Sequence, residues 1–169
     1  MRWVFRNAEA QGIDPKRIIS SGGSAGGHLA ACCGVIPGLD EIKEGEPIFI
    51  PAAMAFFNPV IDTSKKSYGY NKLKERYKEL SPVEHVHAKT VPTLIMVGDA
   101  DTTTPPGGVK DFAKKMKKQN LACPLEIYPG QKHGFFNARG DNANYWKTVK
   151  VMDGFLAKLG YFKEDSQAP

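Results

Sequence analysis

Short apolar runs alternate along the chain with stretches whose apolar residues recur every three or four positions, and that alternation lays out most of the elements. Arg17-Ile18-Ile19-Ser20, Ala53-Met54-Ala55-Phe56-Phe57, Thr93-Leu94-Ile95-Met96-Val97 and Leu125-Glu126-Ile127-Tyr128 read as strands near 17–22, 53–57, 93–98 and 124–128. Val109, Phe112, Ala113 and Met116 share one face of a helix predicted over 107–119, with Lys114, Lys115, Lys117 and Lys118 on its wet face. A helix near 25–34 follows the first strand, and one over 142–159 carries Val149, Met152, Leu156 and Leu159 as an apolar stripe. At the start, Met1, Val4, Phe5 and Ala8 stand at i, i+3, i+4 and i+7, which predicts a helix over 2–10. Strand and helix in alternation imply a parallel sheet with helices on both faces, so the expected fold class is α/β. Residues 60–90 interrupt the pattern as a polar insertion with a helical stretch around 71–79. Residues 1–162 read as one domain holding that insertion, and 163–169 as a flexible tail.

The candidate chemistry lies where strands end. Gly22-Gly23-Ser24-Ala25-Gly26 joins the first strand to the helix after it, so a serine sits on a strand-to-helix turn flanked by glycines, the context of a nucleophile elbow. Side chains two residues either side of the serine are expected to collide in so tight a turn, and Gly22 and Gly26 remove them. The serine then stands at a helix N-terminus, where the dipole and the backbone N–H of Ala25 face any negative charge formed on an attacked carbonyl. The third strand empties into Gly98-Asp99-Ala100-Asp101, and His133 follows the fourth. Chain order is therefore serine, acid, histidine, the order of α/β-hydrolases and not that of chymotrypsin or subtilisin. Serine needs an imidazole to take its proton, and the imidazole needs a carboxylate to fix its tautomer.

Taken together these motifs resemble an α/β-hydrolase esterase of the acetyl-esterase, feruloyl-esterase and hormone-sensitive-lipase-like branch. The resemblance is carried by Gly12-Ile13-Asp14-Pro15-Lys16-Arg17-Ile18, by Gly23-Ser24-Ala25-Gly26-Gly27-His28-Leu29-Ala30, by Ser81-Pro82, by Gly98-Asp99-Ala100-Asp101 with Pro105, and by His133-Gly134-Phe135. It implies Ser24 as nucleophile, Asp101 as acid in preference to Asp99, His133 as base, Ala25 N–H as an oxyanion donor, and neither cofactor nor metal. It also implies a small-molecule or carbohydrate ester as substrate. Such esterases carry a His-Gly-Gly-Gly-type loop ahead of the nucleophile, and these 169 residues contain none. The expectation is thus an N-terminally truncated α/β-hydrolase fold with about four of its strands, Met1 being an internal methionine of a longer ancestor. Two alternatives stay open: an impaired fragment that keeps the three residues and works as an assembly or binding module, and a prolyl-oligopeptidase-like peptidase, which Ser24-Ala25-Gly26-Gly27-His28 disfavours. Loss of the neighbouring strand leaves residues 17–21 as an open edge and predicts a homodimer formed near residues 1–22. The insertion is the expected specificity element, with Tyr68, Tyr70 and Tyr77 either lining a pocket or anchoring a surface helix; Phe135 and Phe136 carry the same ambiguity.

Composition adds limits. With 169 residues, 41% of them hydrophobic, the chain suits one domain with a real core. No apolar stretch approaches the ~18 residues of a membrane span, so no membrane partner is expected. No signal peptide is visible, which predicts a cytoplasmic location for the chain as expressed and leaves its parent's compartment open. A net charge of +5 is mostly the lysines of helix 107–119, with no basic stripe interleaved with aromatics, so no nucleic-acid partner is expected. Cys32, Cys33 and Cys123 make no framework, and the adjacent pair Cys32-Cys33, in the helix after the elbow, reads as buried thiols. His85-Val86-His87 places two imidazoles on one face of an extended segment, a metal half-site without further ligands, and His28 reads as a helix-packing or capping residue.

Overall fold

The computed structural model describes residues 1–36, 38–39, 44, 49–65, 67–138 and 142–161. A short helix α1 (Arg2–Arg6) leads through turns and a 3₁₀ turn at Pro15–Arg17 into strand β1 (Ile19–Gly23), which passes directly into helix α2 (Ser24–Val35). Strand β2 (Ala53–Phe57), the broken helical insertion beginning with α3 (Tyr70–Leu73), and strand β3 (Thr93–Gly98) follow. Helix α4 (Gly107–Lys118), strand β4 (Leu125–Tyr128) and helix α5 (Ala143–Lys158) complete the chain.

The strands form one parallel sheet in the order β1-β2-β3-β4, with Ser20 opposite Met54, Phe56 opposite Ile95 and Val97 opposite Ile127. Successive strand side chains point to opposite faces, and this period divides the core. Met54, Phe56, Ile95 and Val97 pack with Ala31 and Val35 of α2 and with Val109, Phe112 and Met116 of α4. Ala53, Ala55, Leu94 and Met96 form the other face under Phe155 of α5. The two central strands are covered on both sides, which is why their sequences are near-continuous apolar runs. The expected parallel α/β sheet with helices on both faces is therefore the observed one. Because the strands run in one direction, the segments after β1, β2, β3 and β4 all emerge at one end of the sheet, which is where the site is built.

Several expectations need correction. The first helix ends at Arg6 and not near residue 10; Met1 caps it without a side-chain hydrogen bond, and Ala8 is buried from the turn beyond it. The insertion is not one helix over 71–79, because Lys74 takes a left-handed φ of +51° between α3 and a 3₁₀ segment (Lys74–Leu80). In α5 the inward stripe holds the anticipated Met152, Leu156 and Leu159 together with Thr148, Val151 and Phe155, whereas Val149 is not in it. Burial pushes the Cys32 thiol up to about 11 and that of Cys123 to about 12, but Cys33 is exposed and not buried. The two insertion histidines do not share an extended face: His85 ends a 3₁₀ turn and bonds Lys78 O at 2.7 Å, while His87 Nδ1 accepts from the Lys89 N–H at 3.1 Å. No described helix is long and apolar enough to cross a membrane. The anticipated tail, 163–169, lies outside the described residues.

Candidate active site

Ser24 is the first residue of α2 and takes φ +53°, a left-handed conformation that costs a residue with a Cβ roughly 1–3 kcal/mol. The strain has a local cause, since the chain must leave β1 and enter the helix without an intervening residue. Gly22 makes that possible: a Cβ there would come within 2.5 Å of the Gly26 carbonyl carbon. Gly26 differs from expectation, because a Cβ on it would meet nothing within 4 Å. At Gly23 the Phe136 ring lies where a side chain would be, 2.5 Å from the Cβ position, so a larger residue there would displace that ring. Phe136 packs in turn on Phe57, and Phe135 on Tyr128, so both phenylalanines are at least partly structural.

His133 reaches this serine from the segment after β4, with Nε2 2.9 Å from Ser24 Oγ. Its Nδ1 is 2.8 Å from Asp101 Oδ2. An ionised carboxylate only accepts, so Nδ1 carries the proton and Nε2 is left as the acceptor for the serine hydroxyl. Asp101 has no exposed side-chain surface, whereas a quarter or so of His133 remains open to solvent. The carboxylate is fully engaged: Oδ1 accepts from the N–H groups of Thr103 and Thr104, each at 2.8 Å, and Oδ2 also accepts from the Thr104 hydroxyl at 2.8 Å. Burial pushes the Asp101 carboxyl up, but the bonds from Thr104 N–H, from His133 and from the Thr104 hydroxyl together outweigh it and hold it below the usual aspartate value. A serine, an imidazole and a charged carboxylate in line can draw a proton from the hydroxyl as it attacks.

The structure thus brings Asp101, and not Asp99, to the imidazole. Asp99 Oδ1 instead accepts from the Gly130 N–H at 2.6 Å, pinning the turn that leads to His133. Ala25 is the second residue of α2, whose first N–H groups have no partner within the helix. His28, one turn on, points Nε2 at Leu80 O, 2.6 Å away, and ties α2 to the insertion. In the insertion, Tyr70 and Tyr77 pack ring against ring and Tyr70 bonds Glu75, while exposed Tyr68 borders a shallow depression beside Thr104 and Pro105. No group of three or more His, Cys, Asp or Glu able to hold a metal occurs among the described residues.

Two residues at the site escaped sequence reasoning. Thr104 is the chief partner of Asp101, and its hydroxyl also lies 3.2 Å from Asn58 O. Asn58, at the end of β2, accepts from the Gly134 N–H at 2.9 Å and faces His133 Nε2 at 3.5 Å. The signals available were a Thr102-Thr103-Thr104 run beside the acid and an Asn-Pro pair closing a strand, and both resemble ordinary turn chemistry.

The model of the prolyl oligopeptidase family matches residues 52–159, and that of BD-FAE matches residues 1–67. Among solved structures, Thermogutta terrifontis esterase 2, phosphoramylated by tabun, superposes with a TM-score of 0.88 at 39% identity over 97% of this chain and 63% of its own. Curated relatives include endo-1,4-beta-xylanase B of Butyrivibrio fibrisolvens, 23% identical over 86% of this chain and 25% of its own length. Esterase LipQ of Mycobacterium tuberculosis is 26% identical over 79% of this chain and 36% of its own length. The chain therefore spans well under half of these two relatives. It belongs to the prolyl oligopeptidase family, whose model covers more than half of its residues, and it shares its α/β-hydrolase fold with the esterase structures.

Proposed function

We propose that this chain carries the reacting residues of a serine hydrolase that cleaves carboxylic esters of small acyl or carbohydrate-linked type. Ser24 Oγ attacks the carbonyl while His133 Nε2 takes its proton, and the Ala25 N–H steadies the oxyanion. The ester C–O bond then breaks, His133 returns the proton to the departing alcohol, and an acyl-serine remains. Water attacks that acyl group with His133 again as base, releasing the acid and restoring Ser24. Asp101 holds the imidazole tautomer and offsets its charge. The observation that carries this reading is the unbroken run from Ser24 Oγ through His133 to Asp101 Oδ2, with bonds of 2.9 and 2.8 Å. Support for short acyl groups comes from the neighbouring esterase 2, whose structures include propionate-bound and butyrate-bound forms.

Hydrolysis of p-nitrophenyl acetate and butyrate tests the proposal. Ala25 is the oxyanion donor assigned within these residues, and Ser24→Ala should reduce the hydrolysis to the background rate. Hydrolysis that survives Ser24→Ala contradicts the assignment. A second reading, cleavage of peptide bonds, is favoured by the prolyl oligopeptidase match over residues 52–159. A chromogenic peptide anilide cleaved faster than the corresponding ester would select it.

A further inference from the structure

Asn58 is fully buried, yet its side chain faces the reacting groups. Its backbone takes a left-handed φ of +35°, a conformation that asparagine tolerates better than most residues with a Cβ. That backbone is held on both sides: its N–H donates to Met96 O at 2.7 Å, and its carbonyl oxygen lies 3.2 Å from the Thr104 hydroxyl. The amide has one consistent orientation. The Gly134 N–H can only donate, so the atom facing it at 2.9 Å is Oδ1. Nδ2 is thereby turned to His133, 3.5 Å from Nε2, the nitrogen that also faces Ser24 Oγ.

We infer that Asn58 is a positioning residue for His133, fixing the peptide that follows the imidazole and setting an N–H dipole against Nε2 that favours the neutral, proton-accepting ring. The inference rests on the proposed role of His133 as general base. A donor aimed at a ring nitrogen supports its lone pair and opposes a proton there, because hydrogen bonding to one protonation state favours that state. The groups facing the imidazole are few. Asp101 Oδ2 and Thr104 Oγ1 lie at Nδ1, from the segment after β3; Ser24 Oγ from α2 and Asn58 Nδ2 from the end of β2 lie at Nε2. Asp99, on the same segment as Asp101, is bonded to Gly130 N, and Lys132 adjoins His133 in the chain. The negative charge thus acts at Nδ1, and the Nε2 side is set by neutral groups, of which Asn58 is the fixed donor.

Two substitutions separate this role from a purely structural one. Asn58→Asp keeps the shape and puts an acceptor in place of the donor; Asn58→Gly keeps the left-handed backbone and removes the side chain. The pH dependence of kcat/KM for a p-nitrophenyl ester should show its acid limb moved to higher pH in both variants. The shift should be smaller in Asn58→Gly and larger in Asn58→Asp, by about 1–3 pH units for a carboxylate placed beside a titrating group, with KM little changed. NMR titration of the His133 ring proton in the same folded proteins should follow the same order. That second readout needs no turnover, so failure of the esterase reading and failure of this inference are distinguishable. A carboxylate at this place raises the titration whatever the role of Asn58, so Asn58→Gly decides: a purely structural role predicts that its titration does not move. Unmoved or downward titrations overturn the inference; if Asn58→Asp does not fold, a titration in Asn58→Gly at or below that of the parent does so alone.

Discussion

At the scale of single residues, Asp101 shows how a buried carboxylate stays charged: Thr103, Thr104 and His133 supply the hydrogen bonds that water would otherwise give it. Its folded-state value lies below the ordinary one, so its contribution to stability is present above the unfolded aspartate value, about 4, and is lost as pH falls through the lowered folded value. The stability difference between the parent chain and Asp101→Asn should therefore be large at pH 7 and shrink on acidification through that window. Urea unfolding of both proteins at pH 7 and pH 3 measures it, and an equal gap at both pH values would refute the electrostatic account. Ser24, Asp101 and His133, which the structure brings together, were legible because each sits where an apolar run ends in a polar, glycine-containing segment. Asn58 and Thr104 were not, since their contribution depends on segments 46 residues apart meeting above the sheet, and neither residue departs from what a turn would contain.

At the scale of elements, the elbow makes the sharpest prediction. The added methyl group of Gly22→Ala would press on the backbone of Gly26 and Gly27, and overpacking against main chain costs typically 1–3 kcal/mol, roughly. Gly26→Ala meets open space within a helix, where alanine is favoured over glycine by about 1 kcal/mol. Thermal melts should therefore fall for the first variant and hold or rise for the second, with ester hydrolysis lost only in the first; equal effects would mean that the turn is not as tight as described. The strands and helices α2, α4 and α5 were readable to within a residue or two because the central strands are buried on both faces and α4 has a clear wet side. The insertion was less readable: its helical composition is broken by the left-handed Lys74, and the tertiary contacts of Thr63 with Tyr77 and Ser81 override local preference. The stripe of α5 was read at Met152, Leu156 and Leu159 but missed Thr148, which, polar and fully inside, gave no apolar signal, its hydroxyl being satisfied by Tyr145 O.

At the scale of the whole molecule, β1 pairs with β2 on one side only among the described residues, and Trp3, in the helix that precedes it, is two-thirds exposed. An unpaired strand edge beside exposed apolar surface is a template for another chain. We propose that the 169-residue chain associates through β1, with a two-fold pairing of edges as the simplest closed form. Sedimentation at micromolar concentration should show a dimer or larger closed assembly; a well-folded monomer whose amides in residues 17–21 resist hydrogen exchange would contradict it. The central claim is more local, that Ser24, His133 and Asp101 act together on an acyl carbonyl. Its most direct test is intact-mass and peptide mapping of the purified chain after reaction with a fluorophosphonate. The account predicts one adduct, on Ser24, absent from Ser24→Ala and strongly slowed in His133→Ala; an adduct on another serine, or labelling of Ser24 that does not depend on His133, would contradict it.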